Sequence, residues 1–447
     1  MHRFDDRTAE IARLCFDYAL ARLRMEPVPL DRPRPAGELA AAAGATITPG
    51  GRDPAEVMRT FTEVLAPACI SNDSYRYLAF IPEAPTKAAQ LFDVVVSASA
   101  ISGTSWLEAS GAVHAENEAL RWLAQLAGFP EGAGGCFVAG GSAANLAALA
   151  VARETAARRH GRDGPWRVAV AQPVHSSVRA ALRLLGMQPL EVPGEDRLVG
   201  EALAAALAAD TEPEGVCAVV ATAGTTNAGM VDDLAGVAEV AASHGLWVHV
   251  DGAYGLAALA VPEERWRFAG IEAADSFCVD PHKWLFAPFD CAALLYREPE
   301  LARRVHAQHA AYLDAIHGAG DWNPSDYAYH LTRRARGLPF WFSLAVHGTD
   351  AYAAAVRATL RTARLAAARI RAAPHTGLVC DPELSVVLWR RHGWGPADYE
   401  AWCRRLLDEQ VAFLLPTRWG TETVARAVFC HPDCPEAFVD ELLATMR

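Results

Sequence analysis

Lys283 is the residue whose surroundings most favour chemistry. It follows the apolar, β-prone run 276–279 and stands in Asp280-Pro281-His282-Lys283-Trp284, directly after a histidine and beside a tryptophan. A lysine so placed is poorly solvated, desolvation disfavours its ammonium form, and the free amine attacks carbonyls. Taken alone, the same lysine would simply end a strand at the surface. Asp251 follows the apolar run 246–250, where an unpaired carboxylate is costly and a cation or strong donor has to meet it. His175 opens a helix-like stretch after the strand-like run 166–171; a lone histidine there is more often structural than functional, but open α/β sheets place their ligands at this end of a strand. At Gly140-Gly141-Ser142-Ala143-Ala144-Asn145, small residues let a ligand approach the backbone, and the helix that follows offers its first amides to an anion. It carries neither the GxxxxGK of a nucleotide loop nor the GxGxxG of a dinucleotide fold, so alone this cradle is a weak signal.

The elements that position these groups alternate. Strand-like runs at 136–139, 166–171, 216–222 and 246–250 are separated by helix-like runs, including 233–244, which predicts a mostly parallel sheet with right-handed crossovers. Ahead of it, 5–23 carries Ile11, Leu14, Tyr18 and Ala21 at helical spacing until Pro27, Pro29, Pro33 and Pro35 stop it, and 53–65 predicts a second helix. After it, 338–372 reads as a long helical stretch broken at 347–350, leading to a strand–helix–strand–helix pattern over 385–447. The division expected is an N-terminal helical arm (1–84), a large α/β domain (85–337) and a linker helix with a small α+β domain (338–447).

A chain of 447 residues, 52% hydrophobic, is long enough for two or three domains. Its formal charge of -12 argues against nucleic acid or an anionic membrane as partner and favours a small molecule. Ten cysteines without a CxxC pair read as reduced core thiols, and residues 1–10 are too charged for a signal-peptide core, so a cytoplasmic location is expected. The Cys430-His431-Pro432-Asp433-Cys434 cluster lacks a second ligand pair, and no metal site is expected.

Together, Asp280-Pro281-His282-Lys283-Trp284, Val250-Asp251-Gly252-Ala253-Tyr254, His175 and the cradle resemble the pyridoxal-phosphate-dependent group II amino-acid decarboxylases. The resemblance covers roughly residues 70–310. It implies the type I (aspartate aminotransferase-like) fold of pyridoxal phosphate enzymes, a homodimer, and pyridoxal 5′-phosphate held covalently by Lys283. By the same resemblance Asp251 pairs with the pyridine nitrogen, His175 stacks on one ring face and Ala253 packs on the other. Thr226 orients the cofactor or the substrate carboxylate, and Gly141, Ser142 and Ala143 hold the phosphate with the Ser276 hydroxyl and His282. Asn145 stabilises the cradle turn. Phe80, Ile81, Pro82 and Trp106 are placed at a pocket for an aromatic or bulky apolar L-amino acid, which would leave as amine and carbon dioxide. The family's loop tyrosine, the acid that protonates Cα, has no clean match in Asp321-Trp322-Asn323-Pro324-Ser325-Asp326-Tyr327-Ala328-Tyr329-His330. Tyr327 is the expected donor, with Tyr329 and Tyr312 as rivals, and Tyr327→Phe is expected to abolish amine formation. Alternatives are an aldehyde synthase, another type I pyridoxal phosphate enzyme, or a catalytically idle scaffold.

Overall fold

Strand after strand of small and β-branched residues, each followed by a helix, builds the sheet that carries the chemistry. The computed structural model describes residues 2–161, 163–194, 196–317 and 321–447. The chain starts with the helix α1 (Asp6–Leu23), whose first turn is capped by the Asp5 carboxylate accepting from the Thr8 amide. The short helices α2 (Ala36–Ala43) and α3 (Pro54–Thr60) follow, and α3 widens into a π-helical turn over Phe61–Leu65. Helices α4 (Lys87–Ala98) and α5 (Trp106–Leu126), which no motif in the sequence announced, lead into the sheet.

Seven strands form that sheet: β1 (Gly134–Val138), β2 (Arg167–Ala171), β3 (Gln188–Val192), β4 (Val216–Thr222), β5 (Trp247–Asp251), β6 (Ser276–Val279) and β7 (Ala292–Tyr296). Their order is β1-β7-β6-β5-β4-β2-β3, and β7 alone runs against its neighbours. Between them come α6 (Gly141–His160), α7 (Ser176–Leu184), α8 (Gly200–Ala209), α9 (Leu234–His244) and the single turn α10 (Pro281–Trp284). Side chains alternate across the sheet. Val168, Val170, Ala218 and Val220 pack with α6 and α7 on one face, while Ala169, Val219, Val250 and Phe277 join a larger core on the other. Both faces are therefore dry, which is why these strands are short continuous apolar runs.

The predicted break at 347–350 is a real one: helices Leu338–His347 and Thr349–Ala372 meet at Gly348, whose φ of +78° interrupts the first. Beyond them a second, four-stranded antiparallel sheet forms from β8 (Thr376–Leu378), β9 (Val386–Arg391), β10 (Thr417–Trp419) and β11 (Glu422–Val428), in the order β10-β11-β9-β8. It docks on the large sheet through Tyr254, whose hydroxyl accepts from the Ser385 amide (2.8 Å) and lies 2.5 Å from the Ser385 hydroxyl. A buried ion pair ties α5, β1 and the segment before Leu338 together. Arg333 reaches Glu116 (2.8 and 3.1 Å) and the carbonyls of Gly103 and Phe137, while Glu116 also accepts from the Gly337 amide. Among the described residues no helix is long and apolar enough to cross a membrane.

Candidate active site

The carboxyl ends of the parallel strands, where such sheets place ligands, open on one cavity of about 260 Å³. The turn after β1 brings Gly141, Ser142 and Asn145, the loop after β2 brings His175, and the loop after β4 brings Thr226. Asp251 and Ala253 come from the end of β5, and Asp280, His282 and Lys283 from α10. Only glycine fits at 141: a Cβ there would stand 2.9 Å from the Ala253 methyl and 3.2 Å from the Asp280 carboxylate.

Lys283 is held at 2.9 Å by Asp280, a carboxylate 1% exposed. Burial alone would lower the pKa of the amine. The Asp280 charge, with Asp251 behind it, outweighs burial and leaves it above the ordinary lysine value. This corrects the expectation that desolvation empties Lys283 of its proton. The amine is an ion pair until Asp280 or a ligand takes the proton. Asp280 had no role in the sequence reading beyond membership of its motif. The donors expected around Asp251 are present: its carboxylate accepts from the Asn145 amide nitrogen (2.9 Å) and from the Ala253 N–H (3.2 Å). His175 caps α7, its Nδ1 accepting from the Ser177 N–H (3.2 Å) and lying 2.7 Å from the Ser177 hydroxyl.

The cradle differs in detail from its reading. Gly141 donates its N–H to Asp280 (3.1 Å) and Ala143 donates its own to the Gly140 carbonyl (2.9 Å), so Ser142 presents the exposed edge of the turn. Ser276 is fully buried within β6 and does not line the cavity. Its hydroxyl is taken by the Trp247 indole N–H (2.9 Å) and His249 (2.8 Å), which removes it from the expected phosphate contacts. His282 does line the cavity, anchored through Nδ1 to the backbone of Cys291.

A second cavity of about 360 Å³ shares His175 and Thr226 with the first and is walled by Phe80, Val174, Leu415 and Arg426. Phe80 is thus at the site. Ile81 packs into the core, Pro82 is buried, and Trp106 opens α5, its amide donating to Asn323 Oδ1; none of the three lines either cavity. Arg426, absent from the sequence reading, is buried and donates to the carbonyls of Asn227 (3.1 Å), Phe80 (2.8 Å) and Thr226 (2.6 Å). Burial lowers it to about 10, and its donors clamp the two loops that frame the cavity.

Tyr327 is elsewhere. It is 4% exposed, stacked on Trp322 at 4.2 Å in the core beside β1, and burial raises its hydroxyl above the ordinary tyrosine value. A ring locked there does not line the cavity of its own chain. Tyr327→Phe is therefore expected to turn over nearly as the parent does, far short of the roughly 10²–10⁴-fold loss that follows removal of a general acid; a hundredfold loss in steady-state amine production would restore it to the site. Tyr329 and Tyr312 are exposed and also outside both cavities.

Glu83, beside Pro82, is a buried acid that the sequence reading passed over. Burial and the nearby Asp73 charge push it up to about 8, against the pull of a hydrogen bond from the Phe289 amide. From 4.5, its ordinary value, to about 8 the folded protein keeps a proton that the unfolded chain has released, so stability falls as pH rises through that window. Glu83→Gln is expected to flatten the decline in melting temperature of the cofactor-free protein across it. Equal slopes in the two proteins would mean that Glu83 holds no such proton.

An amine to hold an aldehyde, a carboxylate oriented by two donors, an imidazole and a helix N-terminus in one cavity fit pyridoxal 5′-phosphate, whose functional groups need those partners. Comparison with known proteins agrees. The family model described as the pyridoxal-dependent decarboxylase conserved domain matches residues 46–392. The aromatic-L-amino-acid decarboxylase of Bacillus atrophaeus is 30% identical over 353 residues, covering 77% of this chain and 73% of that protein. Tryptophan decarboxylase 1 of Oryza sativa subsp. japonica is 31% identical over 370 residues, 76% and 71% of the two chains. In three dimensions the crystal structure of Oryza sativa TDC with PLP and tryptamine superimposes with a TM-score of 0.91 at 26% identity, over 100% of this chain and 99% of the other.

Proposed function

The chain belongs to the pyridoxal-dependent decarboxylase family, with the type I fold and pyridoxal 5′-phosphate as cofactor, and we propose that it converts an aromatic or bulky apolar L-amino acid to the amine and carbon dioxide. The observation that carries the substrate class is the second cavity, where Phe80, Val174 and Leu415 meet His175 and Thr226 at the edge of the first. Arg426, the cation among the described residues that line it, already donates to three backbone carbonyls. An apolar side chain fills such a wall, and the names of the relatives point the same way.

When bound, the cofactor supplies an aldehyde and an electron-accepting pyridinium ring. Lys283 Nζ would hold the aldehyde, and Asp280 Oδ2, 2.9 Å away, is placed to take the proton of the amine. Asp251, oriented by the Asn145 side chain and the Ala253 N–H, would face the ring nitrogen and favour a proton there. His175 and Ala253 would supply surface for the ring, and Ser142, the first turn of α6 and His282 would take the phosphate. Thr226 meets the substrate carboxylate. A neutral donor there suits carboxylate loss, because a cation that bound the ground state more tightly than the transition state would raise the barrier. With Tyr327 in the core, Lys283, which lines the cavity, would be placed to return a proton to Cα.

The second copy expected of the family is supported by large apolar side chains left on the surface of the arm and its neighbours: Phe4, Phe16, Ile47, Phe61, Val95 and Leu107. The exposed Tyr312 and Tyr329 are available to a partner's cavity. A cytoplasmic location is supported by ten free thiols and a charge of -12. The reading is tested by incubating the reconstituted protein with a panel of L-amino acids and identifying products. Amine and carbon dioxide from tryptophan, tyrosine or phenylalanine support it. Aldehyde with peroxide, a keto acid, or turnover of acidic substrates alone would overturn it.

A further inference from the structure

Asn145 sits where one hydrogen-bonded chain divides. Trp247, His249 and Asp251 alternate onto the same face of β5, and Ser276 and Cys278 stand opposite the last two on β6. Asn145, on the first turns of α6, crosses that face. The Trp247 indole, which can only donate, gives its N–H to Ser276 Oγ at 2.9 Å. The Ser276 hydroxyl lies 2.8 Å from His249 Nδ1, and His249 Nε2 lies 2.9 Å from Asn145 Oδ1. The Asn145 amide nitrogen donates twice, to Asp251 Oδ2 at 2.9 Å and to Ser177 Oγ at 3.0 Å. Ser177 Oγ in turn lies 2.7 Å from His175 Nδ1.

The two ends fix every direction. A carboxylate only accepts, so the Asn145 nitrogen must face Asp251; the reverse amide orientation would set oxygen against oxygen. Asn145 Oδ1 therefore accepts, His249 donates from Nε2, and its Nδ1 is left to accept from the Ser276 hydroxyl. Ser177, receiving from Asn145, is free to donate to His175 Nδ1, which leaves the His175 proton on Nε2. Burial lowers His249 to about 4, so at neutral pH its ring carries the single proton this scheme requires. Asn145, His249 and Ser276 are each at most 1% exposed, so no water competes for these bonds.

We propose that Asn145 and His249 are positioning residues for the reaction: through one directional chain they orient the Asp251 carboxylate and hold His175 in its Nε2–H form. The chain replaces the turn-stabilising role read for Asn145 and gives the buried Ser276 hydroxyl a function other than phosphate contact. The inference rests on the reading that Asp251 faces the cofactor's ring nitrogen.

The informative variant is Asn145→Asp, which keeps the shape of the side chain and replaces its donor with a second carboxylate facing Asp251. One of the two must then take up a proton. In protein reconstituted with pyridoxal 5′-phosphate labelled with ¹⁵N in the ring, the parent is expected to give the resonance of a protonated pyridine nitrogen. The Asn145→Asp variant is expected to give that of a neutral one, with at least tenfold weaker cofactor binding. Should that variant fail to fold, the pair His249→Gln and His249→Phe serves: glutamine can still donate to Asn145 and should stay near the parent resonance and affinity, whereas phenylalanine should follow Asn145→Asp. A protonated signal and parental affinity in Asn145→Asp, or in His249→Phe, would overturn the proposal. A parent protein that fails to bind the cofactor at all would instead overturn the functional reading on which the proposal rests.

Discussion

Lys283→Arg should yield a folded protein that takes up pyridoxal 5′-phosphate only reversibly, loses it on dialysis and produces amine at least about 10³-fold more slowly, because the group that moves the proton and holds the aldehyde is gone. Arginine is the informative replacement because of Asp280. That carboxylate is 1% exposed, pairs with Lys283 at 2.9 Å, and has its second oxygen, Oδ1, buried with no hydrogen-bond partner among the described residues. Lys283→Ala would leave its charge buried and unpaired, a change that costs about 3–5 kcal/mol in other buried pairs, and a loss of activity would then be confounded with loss of fold. A guanidinium keeps the ion pair but stays protonated throughout the accessible pH range, so it cannot attack a carbonyl. The measurements are absorbance of the dialysed protein in the visible range and steady-state amine production. Dialysis-resistant colour in the arginine variant would show that another group holds the aldehyde.

Asp251→Asn is expected to lower amine production by about 10²–10³-fold, the range seen when one preorganised electrostatic partner is removed from a reacting centre. The change is nearly isosteric. Its effect is on charge: a neutral amide no longer stabilises a proton on the ring nitrogen, and the ring accepts electrons less readily. Lys283 is untouched, so covalent cofactor uptake should persist while turnover falls, separating this variant from Lys283→Arg. Loss of less than tenfold at saturating cofactor would mean that Asp251 does not face the ring nitrogen.

The residues that met in the cavity were legible because each follows a strand. Asp251 after residues 246–250, His175 after β2 and the small residues after β1 all mark carboxyl ends of parallel strands, and parallel neighbours bring such ends together whatever the loops do. Side-chain partners were less legible. Ser276 has the right residue type for a phosphate contact, but a one-residue difference along a strand decides the face, and its hydroxyl points to Trp247 and His249. The His249-Val250-Asp251 spacing was the available signal for the chain through Asn145, since two residues along a strand share a face. Tyr327 was misread because its neighbourhood in sequence gave no sign of the Trp322 ring stacked on it. Arg426 was invisible for another reason: it lies 200 residues beyond Thr226, whose carbonyl it holds, and only the docking of the small sheet brings them together. Helices α4 and α5 and the antiparallel β7 carried no motif and went unread, although α5 supplies Glu116 to the buried Arg333.

The central claim is that the amine of Lys283 carries the cofactor. Reduction of the reconstituted protein with borohydride, digestion and mass mapping test it directly. The account predicts a single pyridoxyl-phosphate adduct, on Lys283 in the peptide that contains Asp280-Pro281-His282-Lys283-Trp284; an unmodified Lys283 peptide, or the adduct on Lys87, would contradict it.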